Sequence, residues 1–156
     1  MIDGVNYRDI TIKGAACPIF VRITNRLLSG DPNKKIGTIK NVKISNVSVT
    51  DCQPAKHGIR MSTILGRAES LAENIVLENV KIIYKGGGGR PRSEELLPPN
   101  SNNGPHHWLI QPPAAALYVR DVKGLTLKNV EFAFEARDLR PAIFAAEVAG
   151  LSRWIT

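Results

Sequence analysis

The sequence is poor in the features that usually advertise a function. It has two cysteines, which make neither a disulfide framework nor a metal site. Aromatic residues are only 6% of the chain. No apolar run approaches the roughly 18 residues needed to span a membrane as a helix. The opening "MIDGVNYRDI" shows neither a basic n-region nor an apolar h-region, so no signal peptide is visible in it. "GGGG" at 86–89 lacks the Gly-Lys-Ser/Thr of a phosphate loop and reads as a flexible turn. His106 and His107 are adjacent and have no third partner in sight, so neither a metal nor another cofactor is expected.

The 156 residues fit one domain spanning 1–156, long enough to bury a core without staples. An apolar content of 43% is ordinary for a folded chain. The net charge is +7, which favours nucleic acid, acidic lipid or acidic polysaccharide, or is simply a soluble basic surface. The charges are spread along the chain, with no polybasic tail.

What is present is a repeat. "NVKISNVSVTD", residues 41–51, alternates apolar and polar up to Asn46, then alternates again with the phase moved by one residue. With Asn46 at the centre, Val42, Ile44, Val47 and Val49 occupy the apolar positions −4, −2, +1 and +3. Ile75, Leu77, Val80 and Ile82 do so around Asn79. Leu125, Leu127, Val130 and Phe132 follow the pattern at Asn129, and Val5, Tyr7, Ile10 and Ile12 at Asp9. Each copy predicts two short strands joined at a polar corner, with the apolar face kept on one inside. Asn suits the bend because it tolerates the left-handed region better than other non-glycine residues. Stacked copies would bring the amides to about 4.8 Å, within reach of a hydrogen-bonded ladder.

A third apolar stretch follows each pair, at 19–23, 59–64, 115–119 and 142–145. Repeats that cannot bury an apolar face alone must stack. The expected fold is therefore all-β: a right-handed parallel β-helix of about three to four coils. Only 66–74, "GRAESLAEN", has the composition of a helical turn. Two long Gly- and Pro-punctuated loops are expected, at 24–38 and 85–113.

Laid out as coils, the sequence resembles glycoside hydrolase family 28, the polygalacturonase and rhamnogalacturonase group with its pectin-lyase-like β-helix. The likeness lies in 4–26, "GVNYRDITIKGAACPIFVRITNR", 36–49, "IGTIKNVKISNVSV", 73–88, "ENIVLENVKIIYKGGG", and 117–144. It implies coils from the C-terminal part of such an enzyme, acting on polygalacturonate-type polysaccharide. Family members are usually secreted or periplasmic; the sequence itself leaves the compartment open. The Asn-Thr-Asp, Asp-Asp, Gly-His-Gly and Arg-Ile-Lys segments of the family are missing. Hydrolysis needs two carboxyls about 5–10 Å apart across the bond. The sequence suggests no Asp or Glu pair on one row of neighbouring coils. No catalytic residue is assigned, and the expectation is a chain inactive on its own.

The third strand of each coil corresponds to the floor of the family's substrate cleft. If Ile19, Val21 and Ile23 point inward, Phe20 and Arg22 face out. The same phase places Ile59 and Met61 inside with Arg60 and Ser62 outside, and Leu117 and Val119 inside with Tyr118 and Arg120 outside. Arg22, Arg60 and Tyr118 or Arg120 would then share one face. Arginine forks match carboxylates bidentately, so such a row suits a polyuronate. The bland alternative is a solvated arginine edge. Asn25, Arg26, His57 and Arg67 flank these strands as contacts or as loop anchors. Trp108, in "HHW", is either a sugar-stacking platform or a pin for its loop. Cys17 and Cys52 precede third strands and are expected as neighbouring thiols, bonded or reduced.

Both ends read as uncapped coils, as in a piece truncated on each side or a subunit covered by another copy, and self-association through them is expected. Besides the hydrolase portion, two readings remain open: a non-catalytic carbohydrate-binding or structural β-helix, and a basic nucleic-acid binder. The last lacks any nucleic-acid motif or array of aromatics among basic residues.

Overall fold

The computed structural model describes residues 1–24, 33, 35–52, 61–89 and 113–154. Seven strands carry the described chain: β1 (Ile2–Lys13), β2 (Phe20–Arg22), β3 (Ile39–Cys52), β4 (Ser62–Leu65), β5 (Ala72–Gly86), β6 (Leu117–Ala136) and β7 (Ile143–Trp154). They form one sheet in the order β1-β3-β5-β6-β4-β2, with β7 on the other side of β6. Every pairing between named strands is parallel. The sheet is curled. The first residues of β6, Leu117 to Arg120, pair with β4, whereas those from Val122 onward pair with β5. A wall of short strands thus faces a wall of long ones, and the core fills the space between. This is an all-β, all-parallel architecture of the β-helix-like class. Among the described residues there is no helix, and hence none long and apolar enough to cross a membrane.

The corners work as the repeat requires. Asp9, Asn46, Asn79 and Asn129 all have positive φ, between 51° and 57°. The flanking residues point to one inside on both arms. Val42, Ile44, Val47 and Val49 are buried, as are Ile75, Leu77, Val80 and Ile82. The amides form a ladder: Asn46 Nδ2 donates to Asp9 Oδ1 at 2.9 Å, Asn79 to Asn46 at 3.1 Å, and Asn129 to Asn79 at 2.9 Å.

The structure adds a second corner row that the Asn-centred repeat does not contain. Gly4, Asn41, Asn74, Gly124 and Gly150 stand at equivalent places on five neighbouring strands, all at positive φ. Asn41 donates to Asp3 at 2.7 Å and Asn74 to Asn41 at 3.0 Å. A Cβ at Gly124 would come 2.9 Å from the Asn74 side-chain oxygen, so glycine ends this ladder where asparagine would crowd it.

Two local expectations are corrected. Residues 66–74 make no helical turn. Arg67 and Ser70 exchange backbone hydrogen bonds at 2.9 Å across a tight turn, and the chain re-enters the sheet at Ala72. Helix there would forfeit close packing, since Gly66 lies so near the Asp121 carbonyl that a Cβ would sit 2.0 Å away. "GGGG" is not merely a loose turn either. Gly88 N–H donates to Asp138 at 2.9 Å, and the Arg140 guanidinium lies over Gly88 where a Cβ would meet it at 2.3 Å. Arg140 is held in turn by Asp138 at 2.7 Å, both side chains being buried.

On the outside of the long wall, opposite charges interleave along the stack. Glu78 sits between Lys43 and Lys128, and hydrogen bonds from Lys128 and Lys43 hold its carboxyl down at about 2. Lys81 pairs with Glu131 at 3.0 Å, and Lys85 with Glu135 at 2.9 Å. Exposed pairs of this kind each contribute little to stability. What they do is neutralise much of this wall, so a basic sequence does not present a basic long face.

Candidate functional site

The short-strand wall fixes where the candidate side chains stand. Its register aligns Phe20, Thr63, Tyr118 and Phe144 in one row, and Arg22, Leu65, Arg120 and Ala146 in another. The inward row between them is Val21, Ile64, Val119 and Ala145. Arg22 and Arg120 therefore do share a row. They are two strands apart, about 10 Å at ordinary strand spacing, with Leu65 between them.

The expected phase of the middle strand is off by one residue. Ser62 and Ile64 point inward and Thr63 and Leu65 outward, the reverse of Arg60 and Ser62 facing out. Ser62 is fully buried, its Oγ 2.8 Å from the Tyr84 hydroxyl, which also donates to the Ala116 carbonyl at 2.9 Å. A slip of one residue exchanges the two faces of a strand. From Met61 to Leu65 the two polar residues, Ser62 and Thr63, are adjacent and neither is charged, so alternation does not settle the phase.

Tyr118 was expected on an open face and is instead fully buried. It lies outside the main core in a second apolar cluster with Met61, Leu65 and Ala114, and packs on Phe144 with ring centroids 5.9 Å apart. It is not part of an exposed cleft floor. Asn25, Arg26, His57, Arg60 and Trp108 lie outside the described residues.

Arg67 lies at the same corner as the arginine row and is 4% exposed. Its Nε and Nη2 donate to Glu69 Oε1 at 3.0 and 2.7 Å, and these hydrogen bonds hold the Glu69 carboxyl below its usual range. Arg67 also opposes Arg22: burial, and then repulsion from Arg67, push the Arg22 guanidinium down to about 10. It remains charged at neutral pH.

Beside this corner the structure places two acids that sequence reading separated. Asp121 and Glu147 stand opposite each other on β6 and β7, at φ 54° and 53°, framed by the pairs Arg120–Ala146 and Val122–Val148. This corrects the expectation that no carboxylates share a row on neighbouring strands. Asp121 is buried, with Arg120 Nε 3.4 Å away. Burial raises its carboxyl above the usual range. Arg120 works against that rise, while Glu147 and Glu69 add to it. No template in the sequence links residues 26 positions apart when one is Asp and the other Glu. The only local signal was that each precedes a valine that restarts the inward pattern.

The site is thus a mixed-charge corner: Arg22, Arg67 and Arg120 interleaved with Glu69, Asp121 and Glu147. Among the described residues, no group of three or more His, Cys, Asp or Glu is arranged to hold a metal ion. Cys17 and Cys52 are free thiols, each pushed up to about 11, chiefly by burial, and so not nucleophiles at neutral pH. Comparison with protein-family models, curated proteins and solved structures finds no match, so what this corner does rests on its own geometry.

Proposed function

We propose that the chain is a stretch of right-handed parallel β-helix of the pectin-lyase-like type, and that the arginine corner at the end of its short strands, not the buried face of those strands, binds an acidic polysaccharide of the polygalacturonate kind. The observation that carries this reading is the convergence of like charge at Arg22. Arg67 crowds it from the adjoining turn, and Arg120 stands in its row two strands on. A carboxylate docking there relieves repulsion already present in the folded protein. A guanidinium can take it bidentately. The separation of about 10 Å between Arg22 and Arg120, two strands apart in one row, suits carboxylates carried on alternate sugars of an extended chain.

Binding without cleavage is the form of this function the residues support best. Asp121 and Glu147 are the acids nearest the row, but Arg120 and Arg67 are engaged with this acid cluster. The acids here serve to hold arginines in place. Calorimetry with oligogalacturonate and with a neutral oligosaccharide of equal length tests the reading, alongside a reducing-sugar assay. The expected result is salt-sensitive binding of the acidic oligomer only, weakened about tenfold or more by Arg22→Ala, as for loss of one charge-assisted hydrogen-bonded contact. Release of reducing ends by the wild type and not by Asp121→Asn would replace binding with hydrolysis. Equal affinity for the neutral oligomer would remove the reading altogether.

A further inference from the structure

The acids of the arginine corner do not grip their arginines equally. Arg67 is held by a fork, its Nε and Nη2 donating to Glu69 Oε1 at 3.0 and 2.7 Å. Arg120 meets its acid less closely, with Nε 3.4 Å from Asp121 Oδ2. That is well beyond the roughly 2.7–2.9 Å of a charge-assisted hydrogen bond. Yet Asp121 is the enclosed acid of the three, 6% exposed, whereas Glu69 and Glu147 stand on the surface. Glu147 faces it from the next strand, about 4.8 Å away along the backbone, so each carboxylate opposes ionisation of the other.

The charged groups that act on Asp121 come from every element around it. They are Arg120 on its own strand, Glu147 on β7, and Arg67 and Glu69 on the turn between β4 and β5. Arg22 adjoins this set through Arg67. With every group ionised, three arginines balance three acids. We infer that Asp121 is an acid-operated latch on the arginine corner: as a carboxylate it retains Arg120, and on taking up a proton it releases Arg120 to an incoming carboxylate, so binding tightens as the pH falls. The inference rests on the reading of this corner as a site for acidic polysaccharide.

The direction follows from burial and charge. Burial raises the Asp121 carboxyl above its ordinary 3.8; Arg120 opposes the rise, and Glu147 and Glu69 add to it. Hydrogen bonds from Arg67 hold Glu69 below its usual range, so Asp121 takes up its proton before Glu69 does. A sugar carboxylate of ordinary acidity, about 3.3–3.9, is still ionised at that point. Protonation of Asp121 removes one of the three negative charges and leaves the corner net positive. It also gives up only a long contact to Arg120, which a ligand carboxylate can replace with a bidentate one. By linkage, ligand held at Arg120 favours the protonated acid, so binding is accompanied by proton uptake.

The test is calorimetry of the full chain with oligogalacturonate at neutral pH and at about pH 5, still above the ordinary carboxylate range, at one ionic strength. Wild type should bind about fivefold more tightly at the lower pH. Repeating the titration in buffers of different ionisation enthalpy should show net proton uptake. Asp121→Asn keeps a residue that tolerates the left-handed corner. It should bind at neutral pH as tightly as wild type does in acid, with the pH dependence and the proton uptake both lost. Without ligand, the wild-type Arg120 Nε–Hε signal should titrate with the same midpoint as the Asp121 carboxyl carbon. Three results overturn the latch while leaving the polysaccharide reading in place: affinity that is flat or weaker in acid, a pH dependence kept by Asp121→Asn, or an Arg120 signal that ignores the Asp121 titration. No binding at either pH overturns both.

Discussion

The Asn79 side-chain nitrogen donates to the Asn46 side-chain oxygen at 3.1 Å, across 33 residues of chain. Asn79 also accepts from Asn129, so one amide links three strands. Its φ of 53° adds a backbone role to the hydrogen-bonding one. The two roles separate by substitution. Asn79→Ala loses the ladder and strains the left-handed backbone, at a cost of about 2–3 kcal/mol. Asn79→Gly loses the ladder alone and costs about 1–2 kcal/mol. Urea unfolding should rank wild type above Gly above Ala, and Ala equal to Gly would remove the backbone role.

Gly66 and Gly87 make a second contrast. Around Gly87, at φ 81°, a Cβ meets nothing within 4 Å, so Gly87→Ala carries conformational strain only, about 1 kcal/mol. At Gly66 a Cβ would sit 2.0 Å from the Asp121 carbonyl oxygen and 2.6 Å from the Ala72 nitrogen. Both neighbours are backbone, so Gly66→Ala must move strands and should cost more, about 3 kcal/mol. Thermal unfolding of the two variants checks the order.

The Tyr84 hydroxyl joins two walls of the core, contacting Ser62 from β4 and the Ala116 carbonyl just before β6. Tyr84→Phe leaves buried partners at both and should cost about 1–3 kcal/mol. Ser62→Ala on top of it should cost less than Ser62→Ala alone, since its partner is already gone. Denaturation of the two single variants and the double variant measures that coupling, and strict additivity would contradict it.

Two buried aspartates should titrate on opposite sides of the ordinary range. Hydrogen bonds from the Arg140 side chain hold Asp138 down at about 2, from an ordinary 3.8. A lowered folded-state value means stability that is present above about pH 4 and lost as pH falls through 2. With its side chain 3% exposed, the contribution is about 2 kcal/mol. Asp138→Asn should therefore be less stable than wild type at neutral pH and show a flatter decline in acid. Asp121 runs the other way: burial raises it, so it takes up its proton before Asp138 does as the pH falls. Carboxyl carbon shifts followed by NMR resolve both, and a reversed order would contradict the burial assigned to Asp121.

Local chemistry explains what the sequence disclosed. Asn46, Asn79 and Asn129 announce themselves because a left-handed corner needs a rare residue type and because alternation flanks it on both sides. The Asn41 row hid because its members change type, from Gly4 through Asn41 and Asn74 to Gly124. At Gly124 the close approach of Asn74 dictates the residue, which only the stacked structure reveals. The phase of β4 is not legible in the sequence, because nothing between Met61 and Leu65 is charged and all five are buried. The meeting of Arg22 with Arg67, and of Asp121 with Glu147, depends on which strands lie side by side and has no counterpart in local pattern.

The most direct test of the central claim is to titrate oligogalacturonate into isotopically labelled protein and watch the arginine Nε–Hε signals. Those of Arg22 and Arg120 should move together and saturate, while Arg137, just past the far end of β6, stays still. Unmoved Arg22 and Arg120 signals, or the same shifts with a neutral oligosaccharide, would contradict an acidic polymer bound at the arginine corner.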